Sequence, residues 1–338
     1  MAERQQRIEA FLASHGWRRF DQRLLAADAS FRTYHRLADG DRRAVLMDAP
    51  PPKEDIRPFT LISGHLCSLG FSAPAVLAKD AEAGLLLLED FGDDTFTRLL
   101  DNGADPGGLY ALATDVLIAL HRRASNEAIP KGLPAYDAAR YLEEALLLTD
   151  WYMPAVLGRP PSDSVRESYR TAWRDALKAI DDQPPTLVLR DYHVDNLMRI
   201  PGRGGLQACG LLDFQDAVAG PAAYDLLSLL EDARRDVPAR IKAAMLERYR
   251  GAFAGLDWSA FTTAFTVLAA QRHAKVIGIF TRLCVRDGKP GYLRHIPRVW
   301  RLLDSALREP RLGTVASWFA RHLPPEARGI PQCRTAAE

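Results

Sequence analysis

At 338 residues the chain is long enough for two units with cores of their own, and 47% hydrophobic against 26% charged residues is the balance of a globular protein. The 44 lysines and arginines nearly cancel the 43 aspartates and glutamates, so a net charge of +1 gives no electrostatic case for nucleic acid or an anionic membrane as main partner, and a small-molecule enzyme is the better expectation. Cys67, Cys209, Cys284 and Cys333 form no CxxC pair, which speaks against a zinc ribbon or a dense disulfide framework and predicts reduced thiols.

Residues 1–17 scatter their charges and hold no apolar run of signal-peptide length, and no later run approaches a membrane span, so the expected compartment is the cytoplasm. Ile8, Phe11 and Leu12 fall at helical spacing ahead of Gly16, which predicts a short amphipathic helix over 3–15, a lid on the first unit. Three β-prone pieces, 22–26, 31–37 and 44–48, are separated by Asp28-Ala29-Ser30 and by the turn Ala38-Asp39-Gly40-Asp41; they read as the start of an antiparallel sheet. Prolines 50, 51 and 52 fix φ and remove backbone donors, so 49–55 is a loop. A helix over 58–69 stops at Gly70, and strands are expected at 74–78 and 85–88, the second running into Glu89-Asp90-Phe91-Gly92.

From Leu109 the apolar positions Leu112, Val116, Leu117 and Leu120 recur at helical spacing and end in His121-Arg122-Arg123, charges suited to a helix C-terminus. Helices over 137–153 and 162–180 are split by Gly158-Arg159-Pro160-Pro161, and Glu143, Glu144, Trp151 and Tyr152 are candidates to line a pocket.

The stretch 186–225 carries the chemistry. Leu187-Val188-Leu189 suits a buried strand and opens into Arg190-Asp191-Tyr192-His193-Val194-Asp195-Asn196, polar side chains that no core buries unpaired. A second apolar run, Gly210-Leu211-Leu212, delivers Asp213. The glycine-rich 201–205 lacks the helix and the Lys-Ser/Thr of a phosphate loop, and is read as the hairpin between these two site strands. Asp191, Asn196 and Asp213 at one edge would give a divalent cation hard oxygen ligands and leave one carboxylate to act on a hydroxyl. Two other readings stand beside it: a hydrolytic metal site of Asp191, His193 and Asp195, or a polar loop without chemistry. Beyond Asp225 the chain reads as helical, with Leu226, Leu229 and Leu230 inward, a long amphipathic run over 261–284, and a loosely held tail past Pro324.

Asp191, Asn196 five residues on, Asp213 closing the next strand and Gly220-Pro221-x-x-Tyr224-Asp225-Leu226 together resemble the aminoglycoside phosphotransferase family, kinase-like enzymes that phosphorylate small molecules. The resemblance implies an α+β, bilobal protein-kinase-like fold: an N-lobe over 1–90 with an antiparallel sheet and helix, a larger, mainly helical C-lobe over 91–325, and a tail over 326–338. It also implies ATP as co-substrate, Mg²⁺ held by Asn196 and Asp213, Asp191 as catalytic base, and Arg190 and Asp225 as supports of the catalytic loop. Nucleotide contacts are expected from Ser30 and Arg32 and from the hinge residues Glu89 and Phe91.

Arg190-Asp191-Tyr192-His193-Val194-Asp195-Asn196-Leu197, Leu212-Asp213-Phe214-Gln215-Asp216-Ala217 and the run Gln271-Arg272-His273-Ala274-Lys275-Val276-Ile277-Gly278-Ile279-Phe280 look more narrowly like the bacterial anomeric kinases. Those enzymes phosphorylate C1 of N-acetylmuramate and N-acetylglucosamine in cell-wall sugar recycling. The likeness implies a monomer acting on an amino sugar, with His193, Gln215, Asp216, Arg272 and His273 as substrate-binding candidates. Three departures stand out: loop 28–34 has no glycine, Met47 stands where the family has its phosphate-binding Lys, and Leu189 where it has a His. Arg32, Arg43 and Lys53 are the nearest replacement cations. The competing functions are a kinase of the same fold for an aminoglycoside, choline, thiamine or homoserine, which Glu143, Glu144, Trp151 and Trp173 keep open, and a non-catalytic nucleotide-binding module.

Overall fold

The computed structural model describes residues 2–17, 20–27 and 31–332. In chain order they form α1 (Ala2–Ser14), β1 (Asp21–Ala27), β2 (Thr33–Asp39), β3 (Arg42–Asp48), α2 (Arg57–Ser68), β4 (Val76–Asp80), β5 (Leu85–Leu88), α3 (Phe96–Asp101) and α4 (Pro106–His121). Next come α5 (Ser125–Ala128), α6 (Ala138–Ala145), α7 (Met153–Leu157), α8 (Asp163–Leu177), β6 (Pro185–Val188), β7 (Leu197–Arg199), β8 (Cys209–Leu211) and β9 (Val218–Pro221). The chain ends in α9 (Ala223–Leu230), α10 (Ala239–Gly251), α11 (Trp258–Val285), α12 (Ile296–Ala306) and α13 (Gly313–His322). Two compact units result, one drawn from 1–116 and 194–217, the other from 117–193 and 218–338.

The first unit is built on a five-stranded antiparallel sheet in the order β1-β2-β3-β5-β4. Period-two alternation puts Leu37, Ala44, Leu46, Leu85 and Leu87 on one face, and Ile8, Phe11 and Leu12 of α1, at i, i+3 and i+4, close over them with Trp17. Met47 points from the other face, fully buried and paired in register with Tyr34 and Leu86. Helix α2 buries Phe59, Ile62 and Leu66, and the Phe59 ring meets Phe214 at 5.0 Å, which fixes the residue next to Asp213. The β7–β8 hairpin is tied into this unit by Leu211 N donating to Ser72 O and Arg199 N to Asp94 O, both at 2.8 Å.

In the second unit β6 pairs antiparallel with β9, and the segment before α6 joins them through Tyr136 N donating to Ala219 O at 2.7 Å. Helix α9 is buried along its whole length. The 28-residue α11 packs its middle against the chain leaving α6, and Gly278 is what permits this: a Cβ there would stand 2.3 Å from the Leu147 carbonyl carbon.

Two sequence expectations are corrected. The strand before Asp191 and the strand before Asp213 are not hairpin partners: β6 takes β9, whereas 201–205 joins β8 to β7, a three-residue strand too short to show a period. Nor are all thiols reduced: Cys67 and Cys209 are free, but Cys284 is disulfide-bonded, and Cys333 lies outside the described residues. Among the described residues no helix is long and apolar enough to cross a membrane.

Candidate active site

In the second unit the chain leaves β6 at Leu189 and turns at Arg190, whose φ of 71° lies in the left-handed region. A non-glycine residue there costs about 1–3 kcal/mol and persists only when its surroundings hold it. Asp225, in the first turn of α9, accepts from the N–H groups of both Leu189 (2.6 Å) and Arg190 (2.9 Å). Ser228, one turn further along α9, donates its hydroxyl to Arg190 O at 3.2 Å. The Arg190 guanidinium is ion-paired with Glu144 of α6. Burial pushes the Asp225 carboxyl up to about 7, against the pull of the two N–H groups; the neighbouring Asp191 adds to the rise.

Asp191 comes next, its own N–H closing back on Leu189 O at 2.9 Å and its side chain exposed. Desolvation by its neighbours raises its pKa, but the positive fields of His193 in its protonated form, Lys275, Arg272 and Arg190 outweigh that and hold it below the usual carboxylate range. At neutral pH Asp191 is therefore an ionised base. His193 is buried, and in the neutral ring its Nε2 accepts from Arg234 Nη1 at 3.1 Å, which places its proton on Nδ1; burial, reinforced by Arg234, lowers its pKa, so the ring is neutral at pH 7 and adds its field on Asp191 only once it protonates at lower pH. Arg272 is 4% exposed, and its charge bears on Asp191, Asp225 and His193, while its Nη1 has no hydrogen-bond partner among the described residues. His273 points elsewhere, wholly buried with Nε2 at 2.6 Å from Glu231, a carboxylate that Lys242 also meets at 2.5 Å.

In the first unit Asp213 has φ 56°; it and Arg190 are the non-glycine residues with positive φ among those described. Backbone strain falls at the two turns that carry the motif. Gln215 Nε2 donates to Asp213 Oδ1 at 2.7 Å and Asn196 Nδ2 to Oδ2 at 3.3 Å, and the hairpin holds these residues in register through Leu212 N donating to Asn196 O at 2.9 Å. Arg32, 9% exposed, brings Nη2 to 3.9 Å from Asp213 Oδ1 and Nε to 3.8 Å from Glu54 Oε2. Glu54 also accepts from Phe31 N at 2.9 Å, so one carboxylate steadies both the backbone and the cation of this turn.

The Asp213 carboxylate and the Asn196 amide oxygen are hard donors that suit Mg²⁺. Among the described residues no group of three or more His, Cys, Asp and Glu side chains could hold a metal. A metal here would complete its shell with water and substrate phosphates, as Mg²⁺ commonly does, and the reading of Asp191, His193 and Asp195 as a hydrolytic site has no ligand cluster behind it. Asp195 instead takes the Thr97 hydroxyl.

Ser30 lies outside the described residues. Glu89 is bonded to Arg203 at 2.5 Å and donates its N–H to Ala75 O. Phe91 packs on Met198, Ile200 and Leu212, so tightly on Gly210 that a Cβ there would come within 2.7 Å of its ring. Asp216 and Arg43 are exposed, and Lys53 sits 4.2 Å over the Phe31 ring. Sequence reasoning missed Glu54 and Arg234, for which there is no local signal. It also missed Lys275, which had one: a lysine amid the apolar residues of a core helix requires a buried counter-ion.

Residues 21–261 match the family model described as the phosphotransferase enzyme family. The N-acetylmuramate/N-acetylglucosamine kinase of Caulobacter vibrioides is 34% identical over 359 aligned positions, covering 97% of this chain and 99% of that protein. The kinase of the same name from Pseudomonas aeruginosa is 39% identical over 302 positions, covering 87% and 86%. Among solved structures, the GDP and kanamycin complex of APH(2'')-IIIa superposes with a TM-score of 0.62 at 13% identity, over 90% of this chain and 99% of that one. The gentamicin complex of APH(2'')-IIa gives 0.58 at 15%, over 90% and 98%. At such identities the likeness shows the fold alone, which is kinase-like.

Proposed function

The chain belongs to the phosphotransferase enzyme family, and from that premise we propose that it transfers the γ-phosphoryl group of ATP to the anomeric C1 hydroxyl of N-acetylmuramate and N-acetylglucosamine. The observation that carries this reading is 34–39% identity, over 86–97% of the chain, to proteins named for that kinase activity. Asp191 accepts a hydrogen bond and then the proton from the sugar hydroxyl. An anomeric hydroxyl is more acidic than an ordinary alcohol, so a carboxylate whose pKa is depressed is still basic enough. Asn196 and Asp213 would hold Mg²⁺, which would neutralise charge on the phosphates of the nucleotide. Arg272, one of whose guanidinium nitrogens has no partner among the described residues, is the cation we assign to a lactyl carboxylate, and His193, Gln215 and Asp216 are the other candidate sugar contacts.

Met47 cannot meet a phosphate. Arg32 is the cation of the first unit set between Glu54 and Asp213, the arrangement in which kinases hold a phosphate-binding lysine against a glutamate. In an Arg32→Met variant the Kd for Mg-ATP rises about 10- to 100-fold, the worth of one charge-assisted contact, while KM for the sugar stays within about twofold. Calorimetric titration checks this, and a Kd unchanged by the substitution would remove Arg32 from the nucleotide site.

The substrate is tested by incubating the protein with Mg-ATP and, separately, N-acetylmuramate, N-acetylglucosamine, an aminoglycoside, choline, thiamine and homoserine, with phosphorus NMR locating the new ester. The expected product is an amino sugar 1-phosphate. Turnover of one of the other alcohols alone would retain the reaction and discard the sugar.

A further inference from the structure

Lys275 stands in the apolar middle of α11, between Ala274 and Val276, and is 8% exposed. Its Nζ lies 2.9 Å from Oε2 of Glu144. The same oxygen accepts from the Tyr136 hydroxyl at 2.5 Å, and the other carboxylate oxygen takes the Arg190 guanidinium. Around this centre Tyr136 stacks on Tyr141 with ring centroids 3.9 Å apart, and Tyr224 meets Tyr136 edge-on at 5.0 Å, the two hydroxyls 3.1 Å apart. Gly278, one turn beyond Lys275, lets α11 press on the backbone at Leu147, so the lysine and the glutamate approach each other from two elements locked together.

A single buried carboxylate needs one cation to be neutral, and Arg190 supplies it. A second cation on the opposite oxygen adds constraint: Glu144 is held from both sides and cannot swing away with Arg190. Burial raises the Glu144 carboxyl, yet Lys275 and Arg190 outweigh it and hold it below its usual range, so the link stays ionic. Arg190 matters because its left-handed backbone sets the direction in which Asp191 leaves the turn. We propose that Lys275 is a positioning residue for phosphoryl transfer: by fixing Glu144 it holds Arg190 in the left-handed conformation that presents Asp191 to the acceptor hydroxyl. The inference rests on Asp191 being the base of the proposed reaction.

The test compares Lys275→Met, Lys275→Arg, Glu144→Gln and the Lys275→Met/Glu144→Gln double variant with the wild type, on whichever acceptor the wild type phosphorylates. Failure of the sugar reading thus appears in the wild type, and failure of this inference only in the variants. In Lys275→Met, kcat falls about 10- to 100-fold while Kd and stoichiometry for ATP stay within about twofold, and Lys275→Arg recovers kcat to within about threefold of wild type. Glu144→Gln loses a similar factor, and the double variant is at most about twofold worse than the poorer single one, because both break one link. The proposal is overturned if kcat in Lys275→Met stays within about threefold of wild type, if ATP-binding stoichiometry falls in step with kcat, or if the two losses multiply. Should Lys275→Met fail to fold, Glu144→Gln carries the test, and a wild-type kcat in that variant overturns the proposal.

Discussion

Replacing Asp191 with Asn lowers kcat by about 10²- to 10⁴-fold, the usual contribution of a general base, and leaves the Kd for Mg-ATP within about threefold. Asn keeps the volume and an acceptor oxygen, so what is lost is basicity. The cation field around the carboxylate also sets the pH dependence. Because the Asp191 pKa is depressed, the base is fully ionised throughout the neutral range, and the acid limb of kcat/KM in the wild type lies below the ordinary carboxylate range. In the variant that limb vanishes along with the rate. A second readout is independent of turnover: Asp191 is one of the charges that raise Asp225, so the substitution lowers the Asp225 pKa from about 7, measurable by carboxyl NMR. Retained activity within about tenfold of wild type would remove Asp191 from the role of base.

The reaction was legible in the sequence and the devices that support it were not, for a reason that lies in contact order. Asp191, Asn196, Asp213 and Asp225 fall within 35 residues; Asp191 and Asp213 each follow an apolar run, which places them at strand ends, and Asp225 follows Gly220-Pro221. Arg190 and Asp225 read as loop supports from the resemblance; in the structure Asp225 accepts the N–H groups of Leu189 and Arg190, and Arg190 is left-handed. The partners come from far away. Glu144 precedes Arg190 by 46 residues and Lys275 follows Glu144 by 131, on helices whose own periodicity says only which face is inward. Glu54 meets Arg32 across a proline-rich loop that carries no pattern. The pairing of β6 with β9 instead of β8 was invisible because the three apolar residues Leu187-Val188-Leu189 suit any neighbour. His273 reads as a polar residue in a substrate motif, and only the structure shows it engaged with Glu231.

The same logic separates a working kinase from a module that merely binds nucleotide. Met47 and the glycine-free loop raise that doubt in the sequence, yet a binding module has no use for a strained Asp213 with an amide on each carboxylate oxygen. In the Asp213→Ala variant kcat therefore falls by about 10³-fold or more, the several kcal/mol that a metal contributes to phosphoryl transfer. Folding loses about 1 kcal/mol from the backbone, since Asp tolerates φ 56° better than Ala, besides the two hydrogen bonds and the approach of Arg32, so Tm is measured alongside kcat. The discriminating measurement is Mg²⁺ dependence of nucleotide binding: wild-type affinity for ATP tightens as Mg²⁺ is added, and in the variant that response flattens, because Asn196 alone supplies one neutral oxygen. Asp213→Asn should share the defect even though it restores the hydrogen-bonding volume, since charge is what the cation requires. A variant with wild-type Mg²⁺ titration and lost turnover would mean that Asp213 acts on Arg32 and not on the metal, and the 3.9 Å approach between them would then be the functional contact.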